Sequence, residues 1–142
     1  WWELEAGEPP YYKARHLDTE YEKVKRLSKN PNIITKFNVI REKFDNAVHE
    51  FEDNFFDFIH IDGYAKNKEQ LIRNLKNWYP KVKPGGIFSG HDMQYPRVEQ
   101  IIRQFTEEKK LTLNITGEKW YNPTAEKPKR LSTNGPAWWF QL

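Results

Sequence analysis

The sequence predicts an α/β protein: a mostly parallel sheet with helices on both faces, ending in an antiparallel pair at its C-terminal edge. Three observations lead there. Short β-branched or aromatic segments alternate with segments whose apolar residues recur every three or four positions. The stretch Phe55-Phe56-Asp57-Phe58-Ile59-His60-Ile61 is apolar almost throughout and closes on Asp62-Gly63, which suits a central strand buried on both faces. The last two strand-like segments have no helix between them and are therefore expected to pair antiparallel. At 142 residues the chain is expected to form one domain over 1–142.

Residues 1–10 read as a loop ending in Gly7-Glu8-Pro9-Pro10. From Ala14, the positions Leu17, Tyr21, Val24 and Leu27 mark an amphipathic helix that stops near Asn30-Pro31. The β-branched run Asn32 to Asn38 reads as a strand, and Ile40, Phe44, Val48 and Phe51 as a second helix. Phe55 to Asp62 is the buried strand. Leu71, Leu75, Trp78 and Val82 mark a third helix, stopped by Lys83-Pro84-Gly85-Gly86. Ile87 to Asp92 is a second buried strand, and Val98, Ile101, Ile102 and Phe105 stripe a fourth helix. Leu111–Thr116 and Ala137–Leu142 are the closing strands, separated by a long Pro- and Lys-rich loop over 122–136.

Only 37% of the residues are hydrophobic, but 15% are aromatic. Large rings bury on the order of 150–250 Å² each, so a core is within reach. No apolar run approaches the roughly 20 residues of a membrane span. The absence of cysteine excludes a disulfide scaffold, a thiolate metal site and a cysteine nucleophile, and it accords with the reducing, cytoplasmic setting we expect. With 23 basic against 20 acidic side chains the charge is nearly balanced, and Lys127-Pro128-Lys129-Arg130 is too short for a nucleic-acid stripe. The expected partner is a small molecule or a sugar, with neither nucleic acid nor membrane.

In open α/β sheets ligands bind beyond the carboxyl ends of the strands, where Asp62 and Asp92 both fall. On the residues alone, Asp62-Gly63 reads equally as a turn, and two carboxylates are too few to name a metal. His91 has the ordinary pKa, about 6.5, of a general base for a hydroxyl proton, or it caps the sheet end. His60 reads as a core histidine, His16 and His49 as solvated, and Trp138-Trp139-Phe140 as a strand with alternate rings in the core. If the strand stays regular, His91 and Asp92 point to opposite faces, unless the chain bends after Gly90. Asp62 and Asp92 are then the closer pair, with His91 third.

The combined motif, from Phe56-Asp57-Phe58-Ile59-His60-Ile61-Asp62-Gly63 through Trp78-Tyr79-Pro80-Lys81-Val82-Lys83-Pro84-Gly85-Gly86 to Gly90-His91-Asp92, resembles one family. It is similar to the class I S-adenosylmethionine (SAM) dependent methyltransferases, in particular methyltransferase domain family 24 with its sugar O-methyltransferase and cephalosporin-hydroxylase-like relatives. The resemblance implies a Rossmann-like fold with strand order 3-2-1-4-5-7-6, the fourth strand ending at Asp62 and the fifth at Asp92. It implies SAM as cofactor and methyl transfer to a hydroxyl of a sugar or small metabolite. By the same resemblance Asp62, Gly63, Arg41 and Phe44 lie on the cofactor side, Tyr64 lines the acceptor pocket, and His91 and Asp62 are catalytic. Asp62 and Asp92 are the implied ligands of Mg²⁺ or another divalent cation that would assist the reaction.

The sequence departs from the family in one respect. None of its glycines, at positions 7, 63, 85, 86, 90, 117 and 135, forms the Gly-x-Gly turn that approaches the methionine end of SAM. Phe44 also stands where a small polar residue is usual. We therefore expect the chain to be the C-terminal part of the seven-stranded fold. The alternative is that Asn32–Asn38 pairs directly with Phe55–Asp62. A catalytically inactive binding or interaction module is the second functional reading.

Overall fold

The computed structural model describes residues 14–33, 35–62, 67–116 and 136–142. The expected loop over 1–10, most of the 122–136 loop, Gly63 and Tyr64 lie outside the described residues. The chain divides into two compact units, Trp1–Ala47 and Val48–Leu142.

In the first unit, helix α1 spans Ala14–Ser28, matching its apolar stripe, and a short helix α2 spans Phe44–Ala47. The strand expected over Asn32–Asn38 is absent among the described residues. Its backbone is committed locally instead: the Asn30 side chain accepts from the Asn32 N–H at 2.9 Å, and the Asn30 carbonyl from the Ile33 N–H at 3.1 Å. An asparagine that folds back on its own chain in this way competes with ladder formation. The second helix starts at Phe44 rather than Ile40. Its first turn is organised by the Glu42 carboxylate, which accepts from the Lys43 N–H at 2.9 Å and the Asn46 amide at 2.8 Å.

The second unit opens on a 3₁₀ turn, Val48–Glu50, and then holds a four-stranded sheet. Its strands are β1 (Phe56–Ile61), β2 (Val82–Gly90), β3 (Asn114–Ile115) and β4 (Trp138–Gln141), with helices α3 (Lys68–Trp78) and α4 (Pro96–Lys109) between them. The spatial order is β1-β2-β4-β3. β1 and β2 run parallel, with α3 between them in sequence, while β4 is antiparallel to both β2 and β3. This is the 4-5-7-6 half of the implied order. β1 has β2 as its one neighbour among the described residues.

β2 begins five residues earlier than expected. The Pro-Gly-Gly stretch does not end before the strand but bulges within it: Phe56 pairs with Val82, and Phe58, two residues on, pairs with Ile87. The far end of the chain holds the bulge, through Gly85 N–H to the Leu142 carbonyl at 2.7 Å and Leu142 N–H to the Gly86 carbonyl at 3.0 Å. A Cβ on Gly86 would fall 2.9 Å from the Asp57 carbonyl oxygen, so only glycine lets β1 and β2 approach there.

Register assigns the faces. Ile59, Phe88 and Phe140 are aligned across the sheet, as are Ile61, Gly90 and Trp138, and all share one face. That face is the core: Phe88, Phe140 and Trp138 are buried, and Phe140 meets Tyr79 and Phe105 at ring separations of 6.4 and 6.0 Å. The core side is completed by Leu71, Leu75 and Trp78 of α3 and Val98, Ile101 and Ile102 of α4. Burial of this many aliphatic and aromatic groups, at about 1.5–3 kcal/mol each, is what secures the sheet. Phe58 and His60, on the opposite face, are exposed, so the near-continuous apolarity of β1 does not translate into burial on both sides among the described residues. No helix among the described residues is long and apolar enough to cross a membrane.

Candidate functional site

Parallel pairing sets the carboxyl ends of β1 and β2 side by side. Alternation then carries Asp62 onto the face of His60, and His91 onto the face of Ser89. His91 reaches across the gap: its Nε2 lies 2.6 Å from Asp62 Oδ1. Its Nδ1 lies 2.9 Å from Oδ1 of its own neighbour, Asp92. The histidine expected to come third is therefore the centre of the group, and each aspartate closes on it.

The bend that permits this is visible in the backbone. β2 ends at Gly90, and Asp92 adopts φ +72°, in the left-handed region that Asp tolerates better than most non-glycine residues. This reversal turns the Asp92 carboxylate back toward His91 instead of away from it. Gln94 donates to Asp92 Oδ1 at 3.1 Å, and the Tyr95 N–H closes the turn on the Asp92 carbonyl at 3.0 Å.

Two short contacts to carboxylates ask for a proton on each ring nitrogen. Burial alone would lower the His91 pKa, but the hydrogen bonds from Asp62 and Asp92, and then their charges, outweigh it and hold the imidazole above its ordinary value. The two aspartates are unequal partners. The Asp62 side chain is 73% exposed and that of Asp92 21%, so Asp62 faces solvent while Asp92 is largely enclosed and held by Gln94.

His60 does not sit in the core. It is exposed, with Nδ1 2.8 Å from the Ser89 hydroxyl, which in turn donates to the Ile59 carbonyl at 3.1 Å. With the hydroxyl proton spent on Ile59, His60 Nδ1 carries a proton and donates to Ser89. The His60 and His91 rings lie 5.9 Å apart and nearly parallel. His49, as expected, is exposed.

Arg41 and Phe44 belong to the first unit. The Arg41 guanidinium is paired with the Asp18 carboxylate and lies 4.9 Å above the Tyr21 ring, while Phe44 is half-buried at the start of α2. Arg41 is thus engaged within its own unit rather than presented to a ligand.

A divalent cation does not fit the acidic pair as it is arranged. Both His91 nitrogens are taken up by the carboxylates, so an ion would have to displace the ring. Among the described residues no group of three or more His, Cys, Asp or Glu side chains could hold a metal ion. The described residues likewise do not make up a cradle for SAM: the turn with Gly-x-Gly is not in the sequence, and Gly85, the described glycine with positive φ, sits at the start of β2.

The model of a family described as a methyltransferase domain matches residues 4–93. The chain belongs to this family. The match covers more than half of the sequence and runs through β1, α3 and β2 to the residue after Asp92, so the whole Asp62–His91–Asp92 group lies within the methyltransferase domain's matched stretch. α4, β3 and β4 lie beyond it. No curated protein matches the chain.

Two residues that hold the Asp62–His91–Asp92 group carry no mark in the sequence. Gln94 steadies Asp92, and Trp138, read as core, also donates from Nε1 to the His91 carbonyl at 3.2 Å. No short-range pattern marks Trp138, because its partner is 47 residues away.

Proposed function

We propose that this methyltransferase domain provides the acceptor side of a SAM-dependent O-methylation, taking the proton from a hydroxyl of a sugar or small metabolite. The observation that supports this reading is the His91 imidazole held between Asp62 and Asp92 at the carboxyl ends of two parallel strands. When bound, the sulfonium cofactor supplies an electrophilic methyl group. What the chain must do is present a hydroxyl and receive its proton.

The asymmetry of the clasp suits that task. Asp92, held by Gln94 and the turn, keeps the proton on Nδ1 and fixes the ring orientation. Asp62, the exposed partner, swings away and uncovers Nε2, which is a base once it has lost its proton. An acceptor hydroxyl entering beside Asp62 then donates to Nε2, and the resulting imidazolium is stabilised by both carboxylates. Asp62 is thus a gate and an electrostatic partner, His91 the base and Asp92 the orienting group. For Gly63 and Tyr64, which follow Asp62 in sequence, the proposed roles are those that the family resemblance implies, cofactor binding and acceptor binding respectively. No step is routed through a metal ion.

The test is transfer of a labelled methyl group from SAM to a panel of sugars and small alcohols, at saturating donor. Label appearing as an acid-stable methyl ether in the wild type, and not in His91→Gln, supports the reading. A panel that stays unlabelled while SAM is shown to be bound, or transfer that His91→Gln leaves untouched, overturns it.

A further inference from the structure

Beneath the His91 clasp lies a contact between distant parts of the chain. Trp138 of β4 is 1% exposed and passes under Gly90, the last residue of β2. A Cβ on Gly90 would fall 2.4 Å from the Trp138 ring and 2.9 Å from the Ile61 carbonyl oxygen, so the indole occupies a depth that only glycine leaves open. Stacking on Phe140, at 5.8 Å and 17°, and contact with Phe88 at 5.8 Å fix the ring plane. From that fixed plane, Nε1 donates to the His91 carbonyl at 3.2 Å. Two residues on, the Met93 N–H donates to the Pro136 carbonyl at 3.2 Å, and Met93 is itself buried. The peptide units on both sides of Asp92 are therefore tied to the segment entering and forming β4, and Asp92 between them takes its left-handed conformation.

We propose that Trp138 is a positioning residue for the clasp: its indole N–H, by holding the His91 carbonyl, sets the turn that brings His91 and Asp92 into register with Asp62. The packing role of a buried tryptophan is ordinary, whereas the donation is specific, because it reaches the backbone of the one residue that contacts both aspartates. Loss of the N–H alone leaves the ring stack intact and frees the His91 peptide to rotate. A rotation of a few tens of degrees there moves the imidazole by about 1 Å, enough to break the 2.6 Å contact with Asp62. The proposal rests on the reading of Asp62–His91–Asp92 as the proton-handling group, but its structural core is testable without turnover.

The experiment compares the full chain with Trp138→Phe and with a variant carrying benzothienylalanine at position 138, which keeps the indole shape and removes only the N–H. Phe105→Leu loosens the same core from α4 without removing a ring that stacks on Trp138, and serves as the control. The primary readout is the pair of downfield His91 ring N–H resonances, shielded from exchange by the two carboxylates. The proposal expects the Nε2–H signal to shift or broaden in both Trp138 variants and to persist in Phe105→Leu, whatever the melting temperature does. Where methyl transfer is measurable, kcat falls about ten-fold with KM for the donor nearly unchanged. Unchanged His91 signals in the benzothienylalanine variant, or loss of them in Phe105→Leu as well, overturn the proposal. A wild type with intact signals and no methyl transfer while SAM is bound counts against the proposed function alone.

Discussion

His91 Nε2 stands 2.6 Å from Asp62 Oδ1, across the seam between two parallel strands whose residues are 29 apart in sequence. Asp92 takes the other ring nitrogen, so the imidazole is bracketed by one exposed and one largely enclosed carboxylate. The arrangement resembles a base with its orienting acid, to which a second, exposed acid has been added on the reactive side.

This division of roles predicts different costs for the two aspartates. Asn tolerates the left-handed φ of position 92 as well as Asp does, so Asp92→Asn keeps the turn and loses the charge that fixes the ring. We expect its kcat to fall on the order of 10²-fold, the scale of a lost general base, with a melting temperature close to wild type. Asp62→Asn also lowers turnover strongly, through loss of imidazolium stabilisation, and also leaves the melt unchanged. Steady-state kinetics and thermal melts of both variants check this, and near-normal kcat in both would remove the clasp from the mechanism.

The His91 pKa gives stability and turnover opposite pH trends. Its folded-state value is raised above the unfolded value of about 6.5, because the carboxylates outweigh burial. The stabilisation from the clasp is therefore complete below about pH 6.5 and is lost as the pH rises through the folded-state value. The base needs that same proton gone, so kcat climbs over the range in which stability falls. Thermal melts and rate profiles across neutral and mildly alkaline pH measure both limbs. His91→Gln should flatten this part of the stability profile, and a profile unaltered by that substitution would assign the pH dependence to other groups.

Metal removal is expected to be harmless. An ion bridging Asp62 and Asp92 would have to expel the imidazolium that already pairs with both, giving up two hydrogen bonds of 2.6 and 2.9 Å. Exhaustive chelation should leave turnover and melting temperature at wild-type values. Loss of activity on chelation, restored by Mg²⁺, would mean that the His91 ring leaves the cleft in the working state and that the acid pair holds an ion.

Periodicity revealed the parts of the second unit whose determinants are local. β1 is legible from its apolar run, α3 from Leu71, Leu75 and Trp78, and α4 from Val98, Ile101, Ile102 and Phe105, all of which prove to be buried except in the outer face of β1. The misreadings have non-local or side-chain causes. Asn32–Asn38 has strand composition, but the Asn30 amide captures its backbone first. Pro84-Gly85-Gly86 reads as a break, yet Leu142, at the other end of the unit, draws it into the strand as a bulge. The site was visible as two acids at strand ends, but its centre was not. The position of His91 depends on a left-handed Asp92 and on Trp138, and neither leaves a mark in the neighbouring sequence.

The last prediction concerns the cofactor. Binding of the methionine end of SAM relies on a backbone that can approach closely, which a Gly-x-Gly turn permits and which this sequence does not contain. Arg41, the cationic candidate on the adenine side, is already engaged by Asp18 and by the Tyr21 ring, and any contact it made with a ligand would come at the expense of both. The residues at hand therefore offer the cofactor few contacts that are not already spent. We expect titration calorimetry of the 142-residue chain with SAM to show weak binding or none, while the His91 resonances remain as in the free protein. Micromolar affinity would overturn this and would locate a second kind of cradle, built without paired glycines. The two outcomes also separate the readings of the domain: the former makes the Asp62–His91–Asp92 clasp an acceptor-side device awaiting its methyl donor, the latter makes the chain sufficient for both substrates.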